Sequence, residues 1–347
     1  MARRVLSTLL LAAVLSACSR GGPGDELERY VNRLEGALEG ALDGAAPAAR
    51  DADPLLPPRV GALQLTVPGD SIDALDFLAL RGCALQVTVG KRNSSLGRLA
   101  APSQRLLLEL EFLRLAPACS EQLRAEGRDE LAATLDRAAA AKRERLAARI
   151  FNATLGSEEF RAFWRAPAAL GSYPAQTSSE PVSALAAIDA LAARWLSGDY
   201  RADNEAFELL LSTVARGDGG ALLAALDLQR EALARADGVL ARRAAEGPLC
   251  PGGLVPGEVD VLRTVVRKFF VGGVQPWSAA VDRRRQQLLP PLTALEDRLA
   301  AVLPPAYVQW REQRDRALAA AAAPRQHVEA ILDLLASCPG GPGLAPA

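Results

Sequence analysis

Histidine is nearly missing from this chain; the only one is His327. Most zinc sites and most nucleophile–base pairs go with it, since both need imidazole or clustered thiolates. A Ser-His-Asp triad built on His327 would also lack its nucleophile, because no G-x-S-x-G elbow occurs. C-x-x-C and C-x-x-C-H are absent too, so neither a thioredoxin-like redox pair nor a c-type haem attachment is encoded. There is no Walker A or G-x-G-x-x-G pattern to cradle a nucleotide phosphate. No cofactor and no metal are expected. His327 sits one residue before an apolar helical stripe and reads as a helix-surface or capping residue.

Two further scarcities narrow the field. Lysine occurs only at 91, 142 and 268, and the formal net charge is -1, so no basic excess drives nucleic-acid binding. Four Trp, four Tyr and eight Phe are too few for an aromatic-rich sandwich or barrel. What remains abundant is alanine, leucine and arginine, all good helix formers.

Apolar residues recur at helical spacing. Leu27, Val31, Leu34, Leu38 and Leu42 share one face, as do Leu288, Leu292, Leu295, Leu299 and Val302. Val328, Ile331, Leu332 and Leu335 repeat the pattern near the end, and Leu226, Leu233 and Leu240 recur every seventh residue. Proline and glycine punctuate the chain at 54–68, 102, 117, 167–181, 217–220, 247–257, 272–276, 290–291 and 304–305. Between these breakers fit about ten helices, and the expected fold is all-α, an elongated antiparallel bundle-like array. Two alternating pieces, 63–67 and 85–89, have the period of short strands; the second continues a helical pattern from 72 to 78 and is assigned to helix. The Pro/Ser/Gly-rich stretch 167–181 is the expected divide if the helical domain, 25–338, has two halves, and 339–347 reads as a disordered tail.

The chain opens on Arg3 and Arg4, followed by an apolar run to Leu15. At about eleven residues this run is well short of the ~20 that span a bilayer, and it reads as a signal peptide, 1–17. Leu15-Ser16-Ala17-Cys18 resembles a bacterial lipobox, in which a Leu, two small residues and a Cys permit acylation of the thiol and cleavage before it. Cys18 would then carry diacylglycerol and an acyl group such as palmitate, with 18–24 as a lipidated tether. Two or three chains hold a protein stably where one is marginal. Ser19 is not the Asp associated with inner-membrane retention, so the expected location is the periplasmic face of the outer membrane.

In that oxidising compartment the four remaining cysteines, Cys83, Cys119, Cys250 and Cys338, suggest two disulfides. Three connectivities satisfy four cysteines. Proximity along the chain favours Cys83 with Cys119 and Cys250 with Cys338.

Two segments carry a family resemblance. The first, Leu75-Asp76-Phe77-Leu78-Ala79-Leu80-Arg81-Gly82-Cys83, runs on to Gly90-Lys91-Arg92-Asn93-Ser94-Ser95-Leu96-Gly97-Arg98; the second is Asn152-Ala153-Thr154-Leu155-Gly156-Ser157-Glu158-Glu159-Phe160. With the lipobox and the Ser103-Gln104-Arg105-Leu106 helix start, they resemble an uncharacterised family of proteobacterial lipoproteins, domain of unknown function 3080. The likeness is weaker after about residue 180 and implies no catalytic residues; it favours the lipoprotein assignment only.

Two places offer chemistry. Lys91, Arg92 and Arg98, set among Asn93, Ser94 and Ser95, can donate hydrogen bonds to a phosphate, carboxylate or acidic sugar. The competing explanation is a helix C-terminus closed by Gly90, with the basic residues at the negative end of its dipole. Glu158 and Glu159 precede Phe160, Phe163 and Trp164, an arrangement that suits a general acid beside an apolar wall. Neighbours on a helix point about 100° apart, however, so the two acids cannot face one bond. A Ser157 cap with both acids at the positive helix end is the simpler account. Arg283-Arg284-Arg285 and Arg242-Arg243 read as solvated faces. The expected function is non-catalytic binding of an envelope protein or glycan by a lipid-anchored protein that does not contact nucleic acid. The alternative is a carboxylate-dependent peptidoglycan hydrolase using Glu158 or Glu159.

Overall fold

The computed structural model describes residues 22–38, 55–68 and 80–340. The expected signal peptide, Cys18, most of the tether, the pattern at 72–78, Leu42 and the tail beyond 340 lie outside the described residues. Among the described residues the fold is all-α, with twelve helices of eight residues or more and no strand.

Two apolar clusters organise the chain, and one long helix serves both. The larger contains α5 (Pro102–Ala125), α6 (Asp129–Glu144), α7 (Leu146–Ala153), α9 (Glu180–Leu196), α10 (Asn204–Ala215), α13 (Gln275–Arg298) and α14 (Pro305–Leu318). The smaller gathers α1 (Pro23–Leu38), α12 (Gly257–Val265) and α15 (Ala323–Leu335). Helix α11 (Gly219–Ala245) gives Leu222, Leu223 and Leu226 to the first cluster and Leu233, Val239 and Leu240 to the second. Its heptad stripe is therefore one continuous seam read by two sets of partners. Residues on both sides of 167–181, such as Phe163 and Leu185, belong to the same cluster. The stretch 204–245 is long and apolar enough by composition to cross a membrane, but it comprises α10 and α11, broken at 216–218.

Proline marks helix starts more often than breaks. Pro102, Pro181, Pro305 and Pro324 all stand at the first or second helical position, where the missing N–H has no α-helical acceptor, whereas Pro276 follows the π-helical turns that lead into α13. Pro117 and the pair Pro290-Pro291, expected as breakers, lie inside α5 and α13. Their neighbours Ala116, Cys119, Leu288 and Leu292 are buried, and packing of that face outweighs the lost backbone bonds. Gly272 and Gly273 likewise do not end a helix; α12 runs through π-helical turns, Val266–Val274, into α13.

The glycines at 217–220 are there for close approach. A Cβ on Gly219 would stand 2.3 Å from the Phe163 ring and one on Gly220 2.2 Å from the Arg165 backbone, so α11 begins against the end of α8 (Glu158–Phe163). This contact admits no side chain.

The two alternating pieces are resolved without strands. Residues Leu85–Asn93 form α3, a helix as assigned, but it begins afresh after a turn at 80–84 with Gly82 at φ 95°; the pattern at 72–78 lies outside the described residues. The other piece starts as a helical turn, α2 (Val60–Leu63), and continues extended to 68. Its backbone pairs with a side chain: Leu65 N–H donates to Asn152 Oδ1 at 2.8 Å, and Asn152 Nδ2 returns a bond to Leu65 O at 2.9 Å. One amide thus supplies the donor and acceptor that a neighbouring strand would.

Both disulfides form as chain proximity favoured, Cys83 with Cys119 and Cys250 with Cys338, with Cα–Cα distances of 5.5 and 5.0 Å. The first ties the turn before α3 to α5, and the second ties the end of α15 to the loop after α11.

Candidate functional site

The basic segment at 90–98 folds as two helices meeting at a sharp corner. Helix α3 runs through Gly90 to Asn93 and then breaks at Ser94, whose backbone is extended (φ -64°, ψ 163°) before α4 (Ser95–Leu99) begins. Gly90 is therefore an interior residue, and Ser94 makes the closure attributed to it. The Ser94 hydroxyl donates to Lys91 O at 2.7 Å and accepts from Gly97 N–H at 3.0 Å, closing one helix and capping the next. A Cβ at Gly97 would stand 2.2 Å from Lys91 O, so only glycine lets α4 fold back onto the end of α3.

This corner forms one wall of a cavity of about 330 Å³. Arg92, Asn93 and Arg98 line it from α3 and α4, joined by Arg105 and Glu109 from α5, Arg149 from α7 and Val67 from the extended segment. Arg105 Nη2 donates to Arg98 O at 2.8 Å, which binds the α4 end to α5. The one acid among its described lining residues, Glu109, is buried and is engaged twice: Arg92 Nε approaches Oε1 at 2.9 Å and Lys142 Nζ approaches Oε2. Lys142 is buried as well, its ammonium 4.7 Å from the Phe112 ring centroid. Four arginines thus surround a space whose single carboxylate already serves two cations. Burial pushes the Arg149 guanidinium below its ordinary range; Glu109 opposes this, while the charges of Arg92, Arg105 and Arg145 add to it. An anion entering here would meet donors with fixed geometry and relieve repulsion among like charges.

Of the residues expected to bind an anion, three meet at the cavity. Lys91 lies around the helix on a separate cavity of about 340 Å³ with Gln104, Glu111, Arg114 and Tyr200. Ser94 is committed to capping, and Ser95 is an exposed first-turn residue. Sequence reasoning missed Arg105, Glu109, Lys142 and Arg149. Glu109 and Lys142 had a signal: each interrupts an apolar stripe, Leu106-Leu110-Leu113 on α5 and Leu135-Ala139-Leu146 across α6 and α7. Two opposite charges on two buried faces invite pairing. Arg149 had none, because only the packing of α7 on α5 brings it here.

The carboxylates at 158 and 159 stand elsewhere. Ser157 caps α8, its hydroxyl accepting from Phe160 N–H at 3.3 Å, and both acids occupy the first turn. Glu158 is exposed, while Phe160, Phe163 and Trp164 enter the core; Trp164 also lines a cavity of about 390 Å³ with Leu55, Asp227 and Glu231, and neither Glu158 nor Glu159 is among the residues lining it.

Three other polar groups lie deeper than the sequence suggested. His327 is wholly buried, not on the surface: the stripe of α15 is His327, Ile331, Leu334 and Leu335, with Leu332 turned outward. Asp237 can only accept when ionised, which puts the ring proton on Nδ1 and leaves Nε2 to accept from the Tyr30 hydroxyl at 2.5 Å. Burial, and secondarily the Asp237 charge, drives Tyr30 well above the usual phenol range, so it remains a donor. In the Arg283-Arg284-Arg285 run, Arg284 is buried and grips Asp218 at 2.9 and 2.6 Å, with Ser178 O accepting at 2.8 Å. Only Arg283 is a solvated residue there, Arg285 being paired with Asp282. Arg243 reaches Glu258 at 2.6 Å, whereas Arg242 is exposed. Arg314 packs between Trp164 and Trp310 and bonds both oxygens of buried Glu296, at 2.5 and 2.9 Å.

The fold and cavity define a helical, disulfide-stapled protein with one strongly cationic recess. Residues 27–340 match the family described as Protein of unknown function (DUF3080), and the chain belongs to it. No curated protein and no solved structure gives a significant match.

Proposed function

We propose that this is a lipid-anchored envelope protein, held to the outer membrane through acylated Cys18, which binds an anionic group of an envelope component without catalysing its conversion. The observation carrying this reading is the recess at α3, α4, α5 and α7. There Arg92, Arg98, Arg105 and Arg149 converge around one carboxylate that is already bonded to Lys142. Helix capping accounts for Ser94 and Gly97, but not for Arg149, which comes from a different helix into a crowd of like charge. Capping needs no cation there; ligand binding does. Among its described lining residues the recess presents no hydroxyl or thiol nucleophile, and its one carboxylate is already paired, which supports recognition over turnover.

Calorimetry with inorganic phosphate, acetate and a uronic acid tests the reading. Binding of at least one, weakened about tenfold or more in Arg149→Ala and Arg98→Ala, is the expected result. No heat with any of them, or equal binding by both variants, refutes it. Incorporation of labelled palmitate, lost in Cys18→Ala, tests the anchor separately.

A further inference from the structure

Beside the arginine recess lies a feature that soluble anion binding does not use. Helix α4 is five residues long and buries none of them, yet carries two leucines. Leu96 and Leu99 are each 84% exposed, more than any other large apolar side chain among the described residues, and at i and i+3 they share a face. Val87, one turn before Lys91 on α3, is 62% exposed. Between the two leucines stand Gly97 and Arg98, which line the recess. Nothing about the corner's stability calls for leucine at these positions; its geometry comes from Ser94 and Gly97. The corner thus presents adjacent apolar and cationic surfaces.

We infer that the α3–α4 corner docks on a lipid surface, with a phosphate headgroup in the recess lined by Arg92, Arg98, Arg105 and Arg149 and with Leu96 and Leu99 inserted among the acyl chains beside it. Charge complementarity selects the occupant. A guanidinium cluster matches phosphate oxygens in fork geometry, and an interfacial leucine pair flanked by Lys91, Arg92 and Arg98 matches the boundary between headgroup and hydrocarbon. A soluble phosphate would fill the recess but leave both leucines in water. A second copy of the chain would cover the leucines but bring its own arginines against these. A phosphorylated lipid satisfies both surfaces at once. The contact is separate from Cys18: it reads headgroup chemistry, whereas acyl chains on the cysteine do not. This inference rests on the anion-binding reading of the recess.

The test uses the full chain reconstituted in vesicles of phosphatidylcholine alone or with phosphatidic acid, read by amide hydrogen exchange. Phosphatidic acid is expected to slow exchange across 94–99 by about tenfold or more relative to phosphatidylcholine, since ordering this exposed corner suppresses local opening. Leu96→Ser/Leu99→Ser should abolish that protection and still bind inorganic phosphate by calorimetry, whereas Arg149→Ala should lose both. Equal protection by inorganic phosphate alone, or undiminished lipid protection in the double serine variant, overturns lipid docking and leaves anion binding standing. Protection that rises with protein density regardless of lipid means self-association and also overturns docking. Failure to bind either phosphate or lipid overturns both readings.

Discussion

Replacing Glu109 by glutamine sets stability against binding, because one carboxylate serves the core and the recess together. The change is isosteric and removes the charge that Lys142 and Arg92 share. Both Glu109 and Lys142 are buried, their side chains 6% and 5% exposed. Breaking such a pair costs about 3 kcal/mol at the low end of measured cases. For a domain of roughly 300 residues, with an unfolding entropy of about 2.1 cal/mol/K per residue, each kcal/mol lowers the midpoint by ~1.6 °C, so Glu109→Gln should melt about 5 °C below the parent by calorimetry or circular dichroism. The recess, however, loses the only negative charge among its described lining residues. With a bound anion roughly 6 Å away and an effective dielectric near 20, that charge opposes binding by ~2.8 kcal/mol, or about a hundredfold in affinity. Phosphate should therefore bind Glu109→Gln about tenfold to a hundredfold more tightly and raise its midpoint more than the parent's. A variant that melts with the parent, or whose phosphate affinity falls, refutes the assignment of Glu109 as the counter-charge of this site.

Gly97→Ala forces α4 off the end of α3, since the new Cβ would meet Lys91 O at 2.2 Å; a loss of ~1–3 kcal/mol and weaker anion binding are expected in denaturant and binding titrations. Reduction of the Cys250–Cys338 bridge, which closes 88 residues, should cost about 4.6 kcal/mol, against about 3.8 for Cys83–Cys119, which closes 36; Cys→Ser pairs checked by urea unfolding measure both. Tyr30→Phe leaves His327 Nε2 buried without its donor and should destabilise by ~1–3 kcal/mol in the same assay. Asp136 is held below the usual carboxylate range, first by the Ser120 hydroxyl and then by Arg124. A depressed folded pKa means stability that is present above the unfolded value of ~3.9 and lost as pH falls from there through the lower folded value. The parent's melting point should therefore fall slightly more below about pH 4 than that of Asp136→Asn, the difference being small because the carboxylate is half-exposed.

Local signals in the sequence were read well where the structure is local. The alternating piece at 85–89 is helix as assigned, although a turn at 80–84 separates it from the period that suggested this, and chain proximity paired the cysteines. Punctuation was read less well, because proline inside α5 and α13 and glycine at the start of α11 answer to packing partners far along the chain. The site divided the same way. Arg92, Asn93 and Arg98 are neighbours in sequence and met as expected; Arg105 and Arg149 arrive on other helices. His327 was misplaced because a histidine beside an apolar stripe was given to the surface, whereas Tyr30 and Asp237 supply its buried partners from 297 and 90 residues away.

That histidine also decides how the chain opens. Helix α1 is the first described helix, and Tyr30 sits at its centre among Leu27, Val31 and Leu34. Through His327 to Asp237 it is latched to both α15 and α11, and α15 is itself clipped by Cys338 to Cys250. Unravelling of α1 from its N-terminal end must, on reaching Tyr30, break a hydrogen-bond chain shared by three helices, which makes the opening of α1 cooperative with that of α11 and α15.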